Sequence, residues 1–476
     1  MSDRIAASPM EMVVRLDCAG VIDTAKFSEA LLAEVERQPL LQANATVGKT
    51  YRQSYWRPAE NCIPKILWCD GNPDEGRGYP QDFVPIDLEN EIGFRFYGWQ
   101  FSDNDQPRIV MKFVFHHASC DGKGGVGFAE NTLYRYQCMM DEGTACLSEL
   151  AAVDAEQILK RNLPAANKLR TIDRIWRALV IRPKRIGNML MSKPRVFSEN
   201  TGTSDNGGVY ADPALQCSTE LNEDETKQFG TLAAKLSATS NTILARELFQ
   251  AVNDCFKFDP ELGNHENTNS GSSTRNRKRR GLRFLIPFSL RDERHKQMPA
   301  ANCVSMAYLE ANEKILEADS LDDPVLVSEL ARQVKFIRRW QLQYSWIETI
   351  DLLGRIRPIT KFFKFRNKDR SQNIAPDATA VMTNLGRVFK GSELLNSEGE
   401  VAVNSMVVKS VHVSPPCSAT VVINFSISFY RNRLTLDVNY LPSLLTKETA
   451  KGILDAWKQR LIATAAGRPF ADGKKA

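Results

Sequence analysis

The chain has 476 residues, 43% hydrophobic and 25% charged, which is folded-protein composition at a length suited to two domains or one two-lobed unit, so disordered and fibrous classes are excluded. With 62 basic against 57 acidic residues the net charge is +5, small for this size, and the balance argues against nucleic acid as a main partner. No apolar run reaches the roughly 18 residues of a membrane span and the opening residues lack a signal peptide's apolar core, so a soluble, cytoplasmic protein is expected.

From Pro9 to Asp17, Met10, Met12, Val14 and Leu16 fall at period two and predict a strand. Asp23 or Thr24 then caps a helix in which Phe27, Leu31, Leu32 and Val35 repeat at helical spacing before Pro39. Ile92 to Trp99 and Arg108 to Phe115 are rich in aromatic and β-branched residues and predict strands, the second running into a polar turn at His116 to Gly125. Val126 to Met140 reads as a helix.

Between Ala152 and Ile186 lie two helical stretches. In the second, Ile172, Ile175, Trp176, Leu179 and Val180 form an apolar stripe opposite Lys168, Arg170, Arg174 and Arg177. This predicts a surface helix with a solvated basic face, or one resting on an anionic membrane surface or partner. Residues 200–208 are turn-rich and mark the boundary between residues 1–199 and 209–476.

The second part repeats the alternation. Strands are predicted at Val209 to Leu221, Gly281 to Phe288, Cys303 to Leu309 and Ala378 to Met382, the last entering a turn at Thr383 to Gly386. Helices are predicted at Glu223 to Leu236, Asn241 to Cys255, Val325 to Leu353 and Lys447 to Thr464, and a hairpin at Ala419 to Tyr440 turning at Arg431 to Arg433. Residues 263–280 read as a mobile loop ending in the basic run Arg275 to Arg280, which is either solvated or steers an anionic ligand or an acidic protein face. Two halves of similar content are what a duplicated α/β sandwich would produce.

Chemistry concentrates where the strand Val110 to Phe115 stops. Two of the five histidines are adjacent there, followed by a short polar turn: His116, His117, Ala118, Ser119, Cys120, Asp121, Gly122. Strand ends that feed such turns project polar side chains from a rigid sheet into a cleft. Four residues from His117, Asp121 can hold the imidazole, or face away and tie the turn to the other half of the molecule. Ser119 and Cys120 read as small fillers, His412 as structural, and His265 and His295 as solvated. The ten cysteines are scattered without a CxxC spacing, which predicts reduced thiols, and no metal site is expected.

The pattern HHxxxDG at His116 to Gly122 resembles the signature of the acyltransferase superfamily that uses coenzyme A or carrier-protein thioesters. That superfamily includes chloramphenicol acetyltransferase, nonribosomal peptide condensation domains, polyketide-associated acyltransferases, alcohol acetyltransferases and wax ester synthases. Further elements occur in the family's order. Arg37, Gln38, Pro39, Leu40, Leu41 is similar to its RHPxLR element, with Gln38 in place of the usual His; Ile286 to Arg291, followed by Asn302, is similar to vPvxlR…N. Thr383 to Gly386 looks like the SNlG turn, and Phe425 to Trp457 like the closing strand pair and helix. Similarity is weakest at Pro58 to Glu91 and Asp141 to Gly208, and the plant-type DFGWG is absent.

The resemblance implies an α/β fold of two chloramphenicol acetyltransferase-like sandwich halves, mixed sheets flanked by helices, meeting at a V-shaped cleft. It implies an acyltransferase in which His117 is the general base for direct transfer, His116 is structural, Asp121 forms a buried ion pair with Arg291, and Gly122 lets the turn approach the ligand. A neutral imidazole, with its ordinary pKa near ~6.5, suits that task. Thr383 and Asn384 are candidates to line the tunnel. The implied donor is acyl-CoA or a phosphopantetheine-linked acyl group as substrate, with no permanently bound cofactor; the acceptor is an alcohol or amine. An acyl or peptidyl carrier protein is a candidate partner, and the protein is expected to be a monomer. From a different class, the same features fit a catalytically silent condensation-like module that docks a carrier protein.

Overall fold

Alternating burial along the first segment shows how the sheet is made. In β1 (Glu11–Gly20), Met12, Val14, Leu16 and Cys18 are fully buried on one face, while Val13, Arg15 and Asp17 point to the other. The computed structural model describes residues 10–46, 54–60, 63–75, 78–80, 83–141, 150, 153–160, 173, 176–181, 194–197, 213–235, 238–259, 262, 281–344, 347, 378–417 and 421–468. Helix α1 (Thr24–Glu36) starts at Asp23, whose carboxylate accepts from the Ala25 and Lys26 amides. A small hairpin-like pair, β2 (Ala43–Thr46) and β3 (Tyr55–Pro58), precedes β4 (Lys65–Cys69). Strands β5 (Phe94–Asp103) and β6 (Gln106–His116) are joined by Asn104 and Asp105, both at positive φ, which matches the twist of a two-residue hairpin. Helix α2 (Gly122–Met140) follows, starting four residues earlier than the apolar pattern suggests because Asp121 caps it.

The second part contains β7 (Leu215–Leu221), α3 (Glu223–Lys235), α4 (Ser240–Phe258), β8 (Leu282–Ser289), β9 (Val304–Ala311), α5 (Glu313–Ala318) and α6 (Val325–Arg339). Then come β10 (Ala380–Arg387), β11 (Ala402–Val403), β12 (Met406–Ser414), β13 (Ile423–Tyr430), β14 (Arg433–Tyr440) and α7 (Lys447–Ala465). The expected turn at Thr383 to Gly386 is instead the end of β10, paired with β13 through a bulge between Asn384 and Gly386. The hairpin turn is Arg431 and Asn432, both at positive φ.

Two six-stranded sheets result, ordered β11-β12-β1-β6-β5-β4 and β7-β14-β13-β10-β8-β9. The first packs on α1 and α2 through an aromatic cluster in which Phe94, Phe115 and Phe128 have ring centroids 4.9 to 5.4 Å apart. Such pairs each contribute about 0.5–1.5 kcal/mol beyond their buried area. The second packs on α4, α6 and α7, with Trp457 fully buried, its indole N–H donating to the Leu244 carbonyl.

The boundary expected at residues 200–208 falls outside the described residues, and the parts before and after it do not correspond one to one with the two sheets. Strands β11 and β12 come from the second part yet complete the first sheet, β12 pairing with β1 from Val13↔Ser414 to Gly20↔Met406. Alternation identifies a strand but not its partner almost 400 residues away. Residues 263–280 also lie outside the described residues, as does most of the basic amphipathic stretch. Where that stretch is described, the expected sidedness is reversed: Trp176 and Leu179 are exposed while Arg177 is buried against the carbonyls of Trp340 and Gln341, and Ile181 joins the second core. His295, expected to be solvated, is buried, its Nδ1 accepting from the Asp292 amide in a capping box. Cys18, Cys69, Cys120, Cys217, Cys255, Cys303 and Cys417 carry reduced thiols as expected, whereas Cys138 is disulfide-bonded. No helix among the described residues is long and apolar enough to cross a membrane.

The sheets meet at a largely enclosed imidazole. His412 of β12 has Nδ1 2.8 Å from Asp437 of β14 and Nε2 3.2 Å from Asp17 of β1, and Arg15 lies 2.8 Å from the same Asp17. Burial alone would lower its pKa, but Asp437 and Asp17 outweigh that and push it up to about 10. Because this pKa is raised on folding, the stabilisation is complete below the ordinary value near 6.5 and is lost as pH rises toward 10. Relative to His412→Gln, the wild type should therefore lose about 1.4 kcal/mol per pH unit across that window. Urea unfolding of both proteins at pH 6.5, 8 and 9.5 checks it; a constant gap would contradict it.

Candidate active site

The antiparallel register of β6 with β1 ends at His116↔Glu11, and the next amide, of His117, donates to the Met10 carbonyl at 2.7 Å. Ser119 donates from both its amide and its hydroxyl to the His116 carbonyl, at 2.9 and 2.7 Å. Asp121 then caps α2, its Oδ1 accepting from Gly124 at 2.8 Å. The turn 117–120 is thus pinned between a strand end and a helix start.

Within it, the imidazole of His117 is half-buried. Nδ1 lies 3.0 Å from the Cys120 carbonyl. A carbonyl can only accept, so Nδ1 carries the proton in the neutral ring and Nε2 keeps its lone pair. Among the described residues no hydrogen bond engages that Nε2. Burial pushes the imidazole pKa below its ordinary value and His116 adds to this, against the opposing pull of Cys120 and Asp121. A half-buried, neutral, tautomer-fixed imidazole with an available nitrogen is a proton acceptor suited to work at neutral pH.

Its neighbours are chemically quiet. His116 is buried, Nδ1 accepting from the Ala118 amide at 3.1 Å. Cys120 is fully buried, and burial together with Asp121 pushes its thiol well above the ordinary range, so it is held protonated. Asp121 faces away from His117: Oδ1 pairs with Arg291 Nη2 at 3.0 Å and Oδ2 accepts from the Cys303 amide at 2.8 Å. Arg291 also donates to the Ala301 carbonyl at 2.9 Å, and burial, which lowers its pKa, is outweighed by Asp121.

No family model matches the chain, and no curated protein matches it. Solved structures do. The chain is similar to the first condensation domain of the CDA synthetase at 13% identity, covering 100% of this chain and 95% of that one, TM-score 0.58. It is similar to trichothecene 15-O-acetyltransferase from Fusarium sporotrichioides at 12% identity, covering 96% and 91%, TM-score 0.61, and to polyketide synthase associated protein 5 from Mycobacterium tuberculosis at 12% identity, covering 96% and 94%, TM-score 0.58. The chain has the two-lobed fold of condensation domains and acetyltransferases.

On this condensation-type fold the motif turn sits where the lobes touch, and the structure brings His117, Asp121, Arg291 and Asn302 together. Gly122 does not face open space for a ligand: a Cβ there would lie 2.7 Å from Leu385 of β10. Asn384 reaches Asn241 of α4 and accepts from the Gly386 amide, so on that strand Leu385, beside Thr383 and Asn384, is what touches the motif. Sequence reasoning left two contacts without a role. Asn302 donates to the His117 carbonyl at 2.7 Å, and Gln38 accepts from the Ala300 amide at 2.6 Å while donating to the buried Glu34. Gln38 thus serves one partner as acceptor and the other as donor. A cleft at the lobe junction, lined by Glu11, Val13, Tyr79, Ser414, Cys417 and Leu441, begins one residue from Met10. Among the described residues no three His, Cys, Asp or Glu side chains gather as metal ligands.

If the Asp121–Arg291 pair ties the lobes, Asp121→Asn and Arg291→Met should each cost about 3–5 kcal/mol, since each leaves a buried group without its counter-charge. The double variant should be less damaged than the sum, with a coupling of about 1–3 kcal/mol. Denaturant unfolding of the four proteins measures this, and additivity would refute it.

Proposed function

We propose that the protein is an acyltransferase that moves an acyl group from a coenzyme A or carrier-protein thioester to an alcohol or amine, with His117 as general base. The observation that carries the reading is the His117 imidazole, whose Nδ1 is committed to the Cys120 carbonyl while Nε2 has no partner among the described residues. The acceptor's O–H or N–H gives its proton to Nε2 as its oxygen or nitrogen attacks the thioester carbonyl. Collapse of the tetrahedral intermediate breaks the C–S bond, and the proton passes from His117 to the departing thiolate.

Direct transfer is favoured over an acyl-enzyme because the turn's other nucleophiles are withheld. The Cys120 thiol is buried and held protonated, and the Ser119 hydroxyl is buried and donates to the His116 carbonyl. The fold supports the class of reaction, since trichothecene 15-O-acetyltransferase and condensation domains are among its similar structures. Carrier-protein donors enter the proposal because the chain is also similar to part of a four-domain nonribosomal peptide synthetase, at 16% identity over 98% of this chain and 32% of that one.

His117→Ala should keep the wild-type melting temperature within a few degrees and lose transfer by roughly 10²–10⁴-fold, the range for a general base, read as thiol release from acyl-CoA and carrier-bound donors with mixed alcohols and amines. Because burial depresses the imidazole pKa, the acid limb of the wild-type kcat/KM profile should fall below pH 6.5. Full activity in His117→Ala would refute the proposal, and an inactive wild type across all donors would favour the silent docking module.

A further inference from the structure

Between β8 and β9 the chain from Gln297 to Cys303 lies along the first part of the molecule and is fastened at successive positions. The Gln297 amide donates to the Gln157 side chain at 3.2 Å and its carbonyl accepts from Asp154 at 2.9 Å. The Ala300 amide donates to Gln38 at 2.6 Å, and the Cys303 amide to Asp121 at 2.8 Å. Between those two ties stands Asn302, whose Nδ2 donates to the His117 carbonyl at 2.7 Å. Its Oδ1 accepts from the Val304 amide at 3.2 Å, which settles the orientation of the side-chain amide: the acceptor end must face the N–H, so the donor end faces His117.

We propose that Asn302 is a positioning residue that holds the His117 turn so that Nδ1 stays on the Cys120 carbonyl and Nε2 stays aimed and unprotonated; this rests on the reading of His117 given above. The amide of His117 is fixed by β1 through Met10, and its ring by Cys120 within the same turn. Its carbonyl is fixed from the other lobe, by Asn302. Loss of that bond frees the peptide between His117 and Ala118 to tilt, carrying Cys120 relative to the ring. A displacement of about 1 Å at a reacting group is enough for a loss near 10²-fold. The orientation of the base is thereby made dependent on the second lobe being docked.

The decisive variant is Asn302→Asp, which keeps the shape and the bond from Val304 but presents an acceptor to an acceptor; Asn302→Ala and the milder donor-retaining Asn302→Ser accompany it. With acyl-CoA as donor, kcat should fall about 10–100-fold in Asn302→Asp and Asn302→Ala, with donor KM changed less than about threefold. Asn302→Ser should be intermediate, and it carries the comparison if Asn302→Asp does not fold. Independently of turnover, the ¹⁵N imidazole signal of His117, assigned by its loss in His117→Ala, should report a single Nδ1–H tautomer in the wild type. In Asn302→Asp and Asn302→Ala it should show mixed tautomers and a pKa moved up toward the ordinary value. A lower melting temperature with kcat and the tautomer unchanged would overturn the proposal by reducing Asn302 to a structural tie, as would no change at all. A shifted imidazole signal in a protein whose His117→Ala variant still transfers would uphold the positioning and refute the catalytic reading instead.

Discussion

One carboxylate organises this molecule. Asp121 is 1% exposed, and its oxygens are divided among the start of α2, the guanidinium of Arg291 and the amide of Cys303. A buried ionised group is tolerable only when its lone pairs are met, and here the partners come from both lobes. The sequence position that ends the His117 turn is therefore also the position that joins the halves. The identity of residue 291, far away in sequence, follows from the same requirement.

That division of labour bears on the chemistry. Since Asp121 is committed to Arg291 and Cys303, it does not bond the imidazole, and a backbone carbonyl, that of Cys120, takes the orienting role instead. A carbonyl fixes the tautomer without adding a negative charge next to the ring. The imidazole is accordingly kept neutral by desolvation, in contrast to His412, where two carboxylates hold the ring in its charged form. The same side chain is held neutral in one place and charged in the other, and the difference lies in whether its hydrogen-bond partners are dipoles or charges.

Much of this was legible in the residues. A period-two pattern located β1, aromatic and β-branched runs located β5 and β6, and the motifs of the resemblance pointed to His117, Asp121 and Arg291, of which the last two are paired. What was not legible depended on contacts remote in sequence. Thr383 to Gly386 has turn composition, yet pairing with β13 on one side draws it into a strand, and Asn384 is absorbed by α4. His295 sits among charged residues, but a capping box and burial claim it. Arg177 is on the polar face of its own segment, and it is the carbonyls at the end of α6 that turn it inward. Asn302 lay in a quoted motif without a role because nothing local says which backbone carbonyl it meets.

The place of β12 has a consequence for how the chain can assemble. β1 is flanked by β6 on one side and β12 on the other, so the first sheet stays open along β1 until residues 406–414 have been made. During synthesis the earliest strand must wait, one edge unpaired, while nearly the whole chain emerges. Such an edge is a template for mispairing with other chains, and closing it requires a contact of very long sequence separation. The molecule therefore resembles a clasp in which a late strand slides beside an early one, so that the first sheet is not completed by the residues that begin it.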